Sequence, residues 1–237
     1  MATPIDITAE ARDTCSVGKL KDLAASYDSS YKQPNFFKYR VWIYRPFIKA
    51  LVKKAGLKNK NVLLDAGCGQ GFFTSLFAEC GLKAMGVDIS AQGVRQAREK
   101  HGSRAEFTVG DVLNLSYENQ FDCVYSRSCS LYNRDNFAED HSVSDALLRY
   151  VKPGGVLIFD YYTNLCARKK STSWLYHSVA SAHKHFSHYP GAEVFFSLRI
   201  DALLGRFSFS LSRLHILISR VTGIGGELVV LVPKTFK

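Results

Sequence analysis

The sequence predicts an α/β fold: a doubly wound, mostly parallel sheet with flanking helices and a small cap insertion. Two observations carry this expectation. From Asn61 onward, short apolar runs alternate with segments of helical period, as in chained β-α-β units. The first of those runs leads directly into a glycine-rich turn that opens a helix. The 237 residues suffice for one such domain with a sizeable core and are short for two.

Taken in order, residues 1–56 read as an N-terminal helical segment, basic and aromatic from Tyr31 to Gly56. Pro46 is expected to divide that stretch, because it disfavours a helical conformation at Arg45 and lacks an N–H. Beyond it Ile48, Leu51, Val52 and Ala55 recur at helical spacing, with Lys49, Lys53 and Lys54 elsewhere and Gly56 as a stop. Residues 57–237 form the main domain. Its strands are predicted at 62–66, 83–87, 105–109, 121–125, 156–161 and 228–232. Helices are predicted at 72–80, at 91–100 with Ser90 as N-cap and Gly102 as stop, and at 143–150, ended by Pro153-Gly154-Gly155. The stretch at about 163–191, rich in Ser, His and aromatic residues, fits none of these units and is expected to be an insertion capping the C-terminal edge of the sheet.

A hydrophobic fraction of 46% and an aromatic fraction of 13% suit a packed globular chain, and no apolar window of about 18 residues offers a bilayer span. Residues 1–19 are polar and charged, without the apolar core of a secretory leader, so a cytoplasmic setting with reduced cysteines is expected. The six cysteines show no C-x-x-C spacing, which argues against a zinc ribbon or a dithiol redox motif. The net charge of +10 is concentrated between Asp28 and Asp65, where nine basic residues stand with no acidic one. That segment leaves RNA or an anionic membrane surface open as partners. The oligomeric state is not legible from the sequence.

The informative segment runs Val62-Leu-Leu-Asp65-Ala-Gly67-Cys68-Gly69-Gln-Gly71, a buried strand entering a glycine turn. Glycines there let the backbone approach a ligand closely, and the free N–H groups of the following helix favour a polar or anionic group. Such a turn alone is weak evidence, because dinucleotide-binding proteins use a similar one. Here it has companions: Gly86-Val-Asp88-Ile89-Ser90 at the end of the second strand, Gly110-Asp111 after the third, and Val151-Lys-Pro-Gly-Gly155 before the fifth. Together these blocks resemble the class I S-adenosylmethionine-dependent methyltransferases, with their Rossmann-like sheet, and in particular their broad small-molecule branch, over roughly residues 58–162. The resemblance implies S-adenosylmethionine as cofactor and S-adenosylhomocysteine as product. It implies that Asp65 orients the turn and contacts the methionine amino group, while Gly67, Cys68, Gly69 and Gly71 contact the methionyl and ribose portions. Asp88 would accept from the two ribose hydroxyls. Asp111 would accept from the adenine amino group, with the Val112 N–H on a ring nitrogen and Ile89 against the adenine face. Ser126 and Arg127 would border the methionine side, and Tyr31 would line the pocket from the N-terminal segment.

The methyl acceptor is less defined. The loop after the fourth strand, Ser126 to Arg134, lacks the Asn/Asp-Pro-Pro-Tyr/Phe block that amino-methylating DNA enzymes of this fold carry, which argues against DNA. His177 and His185, with His183 and His188, fall in the expected cap, where an imidazole titrating near neutral pH could act as a general base. No carboxylate or cysteine accompanies them closely, so no metal site is expected. The absence of G-x-G-x-x-G spacing argues against a nicotinamide-dependent oxidoreductase. The expected activity is transfer of a methyl group to oxygen or nitrogen of a small-molecule or glycan-like acceptor, anionic acceptors included. The alternatives are an RNA methyltransferase and a non-catalytic cofactor-binding or interaction module.

Overall fold

The computed structural model describes residues 14–33, 39–167, 174–198 and 209–235. Helices α1 (Thr14–Lys32) and α2 (Val41–Lys54) precede β1 (Val62–Ala66), α3 (Phe72–Glu79), β2 (Lys83–Asp88), α4 (Ala91–His101), β3 (Glu106–Val109) and β4 (Phe121–Arg127). Then follow α5 (Ser142–Tyr150), β5 (Val151–Thr163), α6 (Val179–Phe186), β6 (Glu193–Leu198), α7 (Ser212–Thr222) and β7 (Gly226–Pro233).

The seven strands form one sheet in the order β3-β2-β1-β4-β5-β7-β6. β1 to β5 pair in parallel, and β7 is antiparallel to both β5 and β6. The central strands are buried on both faces, which is why they read as near-continuous apolar runs. Alternate residues feed two cores. On one face Leu64, Val124, Leu157 and Phe159 meet Leu147 of α5 and Phe186 of α6. On the other, Leu63, Cys123, Ile158 and Val229 meet Ile48 and Leu51 of α2, Phe77 of α3 and Val94 of α4. Residues 1–56 and 57–237 thus share a core through α2.

Four expectations change. Pro46 does not divide its stretch but lies inside α2. The lost backbone bond is outweighed by burial of Tyr44, Phe47, Ile48 and Leu51 along one face of the helix. The sheet gains β6, which pairs Glu193–Leu198 with the apolar β7. α6 falls inside the stretch expected to be a pure insertion. It is the crossover between β5 and β6, with Ala182 and Phe186 as its apolar side. Finally, α5 ends at Tyr150, and Pro153-Gly154-Gly155 already belong to β5.

Candidate active site

The strand order reverses direction between β1 and β4, the place where open α/β sheets bind ligands at the C-terminal strand ends. A cavity of about 1090 Å3 lies there, slightly above the ~300–1,000 Å3 usual for small-molecule sites. Its lining includes Asp65, Gly67, Cys68, Gly69, Asp88, Ile89, Asp111, Val112 and Arg127, together with Tyr31.

The glycine turn is built by positive backbone angles at Gly67 (φ 87°), Gly69 (φ 53°) and Gly71 (φ 76°). A Cβ at Gly69 would stand 2.6 Å from the Tyr31 hydroxyl, and one at Gly71 would strike Phe107 and Ala97. Gly71, which has no side chain, is the N-cap of α3, and the buried Asp65 carboxylate takes up the Thr74 N–H in the first turn of that helix. Asp88 holds the turn from β2: its Oδ2 accepts from Gly69 N at 2.8 Å and its Oδ1 from Ser90 N at 2.9 Å. Each carboxylate oxygen retains acceptor capacity toward the cavity, which suits a vicinal diol. Burial raises the Asp88 carboxyl above its usual range. Asp65 is buried, accepts from Thr74 Oγ1 at 2.5 Å, and burial lifts its carboxyl to about 7. An ammonium group beside Asp65 would restore its charge. Asp111 accepts from Leu113 N at 3.0 Å and from the Asn114 amide, a local turn that fixes it at the cavity. These donors and acceptors fit a ligand with a diol, an amine and a polar heterocycle.

α1 closes this half of the cavity. Asp28 Oδ1 accepts from Gln92 N at 3.0 Å and from Ser90 Oγ at 2.5 Å, so it caps α4 from outside while Ser90 Oγ accepts from Gly93 N. Tyr31 and Tyr27 stack at 6.0 Å, and Gln96 Nε2 donates to Tyr31 O at 3.0 Å. Sequence reasoning found Tyr31 but not the Asp28 latch.

The other half of the cavity was largely missed. Arg127 ends β4 with its guanidinium bonded to Asp160 Oδ2 at 2.7 Å and to the Glu227 carboxylate at 2.9 and 3.0 Å. The Tyr125 hydroxyl donates to Asp160 at 2.6 Å, and the Tyr44 hydroxyl donates to Glu227 at 3.3 Å. The Arg127 guanidinium also lies over Phe73, 4.5 Å from the ring centre, and within 6 Å of the Tyr44 and Tyr39 rings. All three charged groups are buried, with two carboxylates around one cation. Burial pushes the Asp160 carboxyl up to about 6 despite the guanidinium beside it. Burial works against the Arg127 charge, but the two carboxylates outweigh it and hold its pKa above the ordinary value. The available signal was an acid inside each of two apolar runs, Asp160 in β5 and Glu227 at the head of β7.

Four sequence candidates stand outside the cavity lining. Gly71, expected to contact the ligand, faces Phe107 and Ala97 and shapes the turn without lining the cavity. Ser126 precedes Arg127 on β4 and, by strand alternation, turns its buried side chain to the opposite face of the sheet, away from the cavity lining. His177 and His185 do not line this cavity. His177 Nε2 donates to Tyr132 O at 2.7 Å, with the ring stacked 3.9 Å from Phe137. His185 is held between Phe137 O at 2.5 Å on Nδ1 and Ser144 Oγ at 2.8 Å on Nε2, and burial lowers its pKa to about 4. Both are core histidines, because the aromatic packing of α6 against Phe137 needed polar partners for the nearby carbonyls. Among the described residues no group of His, Cys, Asp or Glu is placed to hold a metal.

A family model described as a methyltransferase domain matches residues 57–199. Phosphoethanolamine N-methyltransferase 1 of Zea mays is 35% identical over 119 residues, covering 48% of this chain and 23% of the relative. 2-Methyl-6-phytyl-1,4-hydroquinone methyltransferase of Synechocystis is 34% identical over 121 residues, 47% of this chain and 36% of that one. The chain therefore spans well under half the length of these relatives. Phosphoethanolamine N-methyltransferase 2 of Haemonchus contortus, solved with S-adenosyl-L-methionine, superimposes with a TM-score of 0.60 at 18% identity, over 89% of this chain and 60% of that one. The DhpI–SAH complex gives a TM-score of 0.62 at 15% identity over 93% and 99%. The glycine turn and its three aspartates, gathered at the switch point of a sheet whose residues 57–199 carry that family's signature, make this chain a member of the class I S-adenosylmethionine-dependent methyltransferases.

Proposed function

We propose that the protein transfers a methyl group from S-adenosylmethionine to an oxygen or nitrogen of a small-molecule or glycan-like acceptor. The observation that carries this reading is the glycine turn at the start of α3, with Asp88 one crossover away bonding the same turn. S-adenosylmethionine supplies an electrophilic methyl on a sulfonium. The chain's part is to hold and orient: Asp65 toward the methionine amine, Asp88 toward the ribose diol, and Asp111 with Val112 toward the adenine, while Ile89 packs against its face. The cavity also has an aromatic half, formed by Tyr39, Tyr44, Phe72 and Phe73 around Arg127, which offers an acceptor a surface distinct from the glycine turn. Arg40 and Lys100 also line the cavity, which supports an acceptor bearing negative charge.

Positioning supplies much of the rate of such a transfer, and a base is needed only where the acceptor must lose a proton. For that case the cavity offers Tyr44. Its hydroxyl can pass its proton to Glu227 while taking one from the acceptor. The relatives named for phosphoethanolamine and a phytyl-hydroquinone act on small molecules, which supports the same class here. No helix among the described residues is long and apolar enough to cross a membrane. Release of S-adenosylhomocysteine across a panel of amine, hydroxyl and phosphate-bearing acceptors, with RNA as a further arm, tests the reading. Turnover on a small acceptor is expected. Tight cofactor binding with no turnover on any acceptor would favour the non-catalytic alternative.

A further inference from the structure

Helix α7 is amphipathic in the opposite sense from a helix packed on a sheet. Its buried positions are His215 and Ser219, one turn apart, and its Ser212 Oγ accepts from Phe196 N at 2.8 Å. The face turned outward carries Leu214, Leu217 and Val221, which are 50%, 60% and 78% exposed, continued by Leu211 before them and Ile224 after. Spacings of three and four residues align these side chains in one stripe. Among the described residues, five of the eight exposed large hydrophobics lie between positions 211 and 224, so the exposure is concentrated and not the usual scatter. Arg213 and Arg220, seven residues and hence two turns apart, flank the stripe on one side, and α7 has no acidic residue.

Three properties select the occupant. With 11 residues, α7 is about 16 Å long, and a single face of that length falls short of the ~800 Å2 per partner of a stable protein pair. The stripe is wholly aliphatic, without the Trp or Tyr anchors that centre protein interfaces. The flanking charge is purely cationic on a chain of net charge +10. We propose that α7 is an interfacial helix that seats the protein on an anionic lipid surface, with its aliphatic stripe at the acyl boundary and Arg213 and Arg220 among the headgroups.

The helix is too short to span a bilayer, so it lies in the plane of the interface. Its end is fixed beside the cavity: Asn164 Nδ2 donates to Gly223 O at 2.9 Å, and Gly225 abuts Tyr162, which lines the cavity. Docking through α7 would bring that side of the cavity toward the membrane. The proposal is independent of the acceptor's identity.

Co-sedimentation of the full chain with vesicles of phosphatidylcholine alone, and of phosphatidylcholine mixed with phosphatidylserine, tests it. The wild type is expected to prefer the anionic vesicles by on the order of tenfold, the preference fading with salt. Leu217→Glu with Val221→Glu should abolish binding to both while leaving affinity for S-adenosylhomocysteine intact, because both side chains project into solvent. Arg213→Gln with Arg220→Gln should remove the preference for phosphatidylserine, and this pair decides alone should the glutamate pair fail to fold. Wild-type protein that ignores both vesicles, or variants that bind as the wild type does, would overturn the proposal. So would a dimer, seen by light scattering without vesicle binding and lost in the glutamate pair, which would give the stripe to a second copy.

Discussion

Asp65 and Asp88 face one glycine turn with different consequences. Asp88 bonds Gly69 N and Ser90 N and keeps acceptor capacity toward the cavity. Asp88→Ala should weaken S-adenosylmethionine binding by about 1.5–3 kcal/mol, the range for hydrogen bonds to a charged group, while far-UV circular dichroism remains unchanged. Asp65 has its carboxyl raised to about 7, so at lower pH it is neutral and offers an ammonium no charge. Cofactor affinity should therefore fall as pH drops through about 7, and Asp65→Asn should flatten that dependence, as titration calorimetry at several pH values would read. The sign for stability without cofactor is the reverse. The folded state holds the Asp65 proton above the unfolded value, so the stability this group contributes is present below about 4 and is lost as pH rises toward about 7. At this scale the half of the cavity around the glycine turn was legible because its lining residues sit in short contiguous blocks whose chemistry shows in the spacing. Tyr44, Asp160 and Glu227 were not, because α2, β5 and β7 bring them together from 183 residues of separation and no local pattern records the meeting.

Among the elements, β4, β5 and β7 are joined not only by their ladders but by the Arg127 cluster. Removing the cation strands two buried carboxylates, whereas removing Glu227's charge leaves a balanced pair of Arg127 and Asp160. Arg127→Met should thus cost about 3–5 kcal/mol in urea unfolding, and Glu227→Gln clearly less. Equal losses would show that shape, not charge balance, holds the site. The central strands β1, β4 and β5 could be placed from the sequence because burial on both faces gives them near-continuous apolar runs, whereas the edge strand β3 is mostly exposed. α6 escaped because its inner face uses His185 beside Ala182 and Phe186, so the apolar period is diluted by a histidine whose polarity is satisfied internally. β6 escaped because Glu193 and Ser197 break its apolar run at the sheet edge, and α7 because its apolar period points outward. Pro46 misled because propensity was outweighed by the four side chains that α2 buries.

Across the whole molecule, the excess positive charge is distributed more subtly than the sequence suggests. Within the acid-free stretch Arg45 pairs with Glu79 at 2.9 Å and Lys54 with Glu193 at 2.9 Å, acids supplied by distant parts of the chain. Lys38, Phe36 and Phe37 of that stretch lie outside the described residues. Lys49 and Lys53 are the better probes of an anionic acceptor. Replacing both with Gln should raise acceptor KM and blunt its salt dependence while cofactor affinity stays unchanged. A KM indifferent to substitution and salt would make the stretch a solvated surface. The claim on which the rest stands is that the glycine turn and Asp88 form the cofactor site. Titration calorimetry of S-adenosylhomocysteine against the wild type and Asp88→Ala tests it most directly. The account predicts one site per chain, weakened roughly 10- to 150-fold in the variant. No binding to the folded wild type, or equal affinity in both, would contradict it.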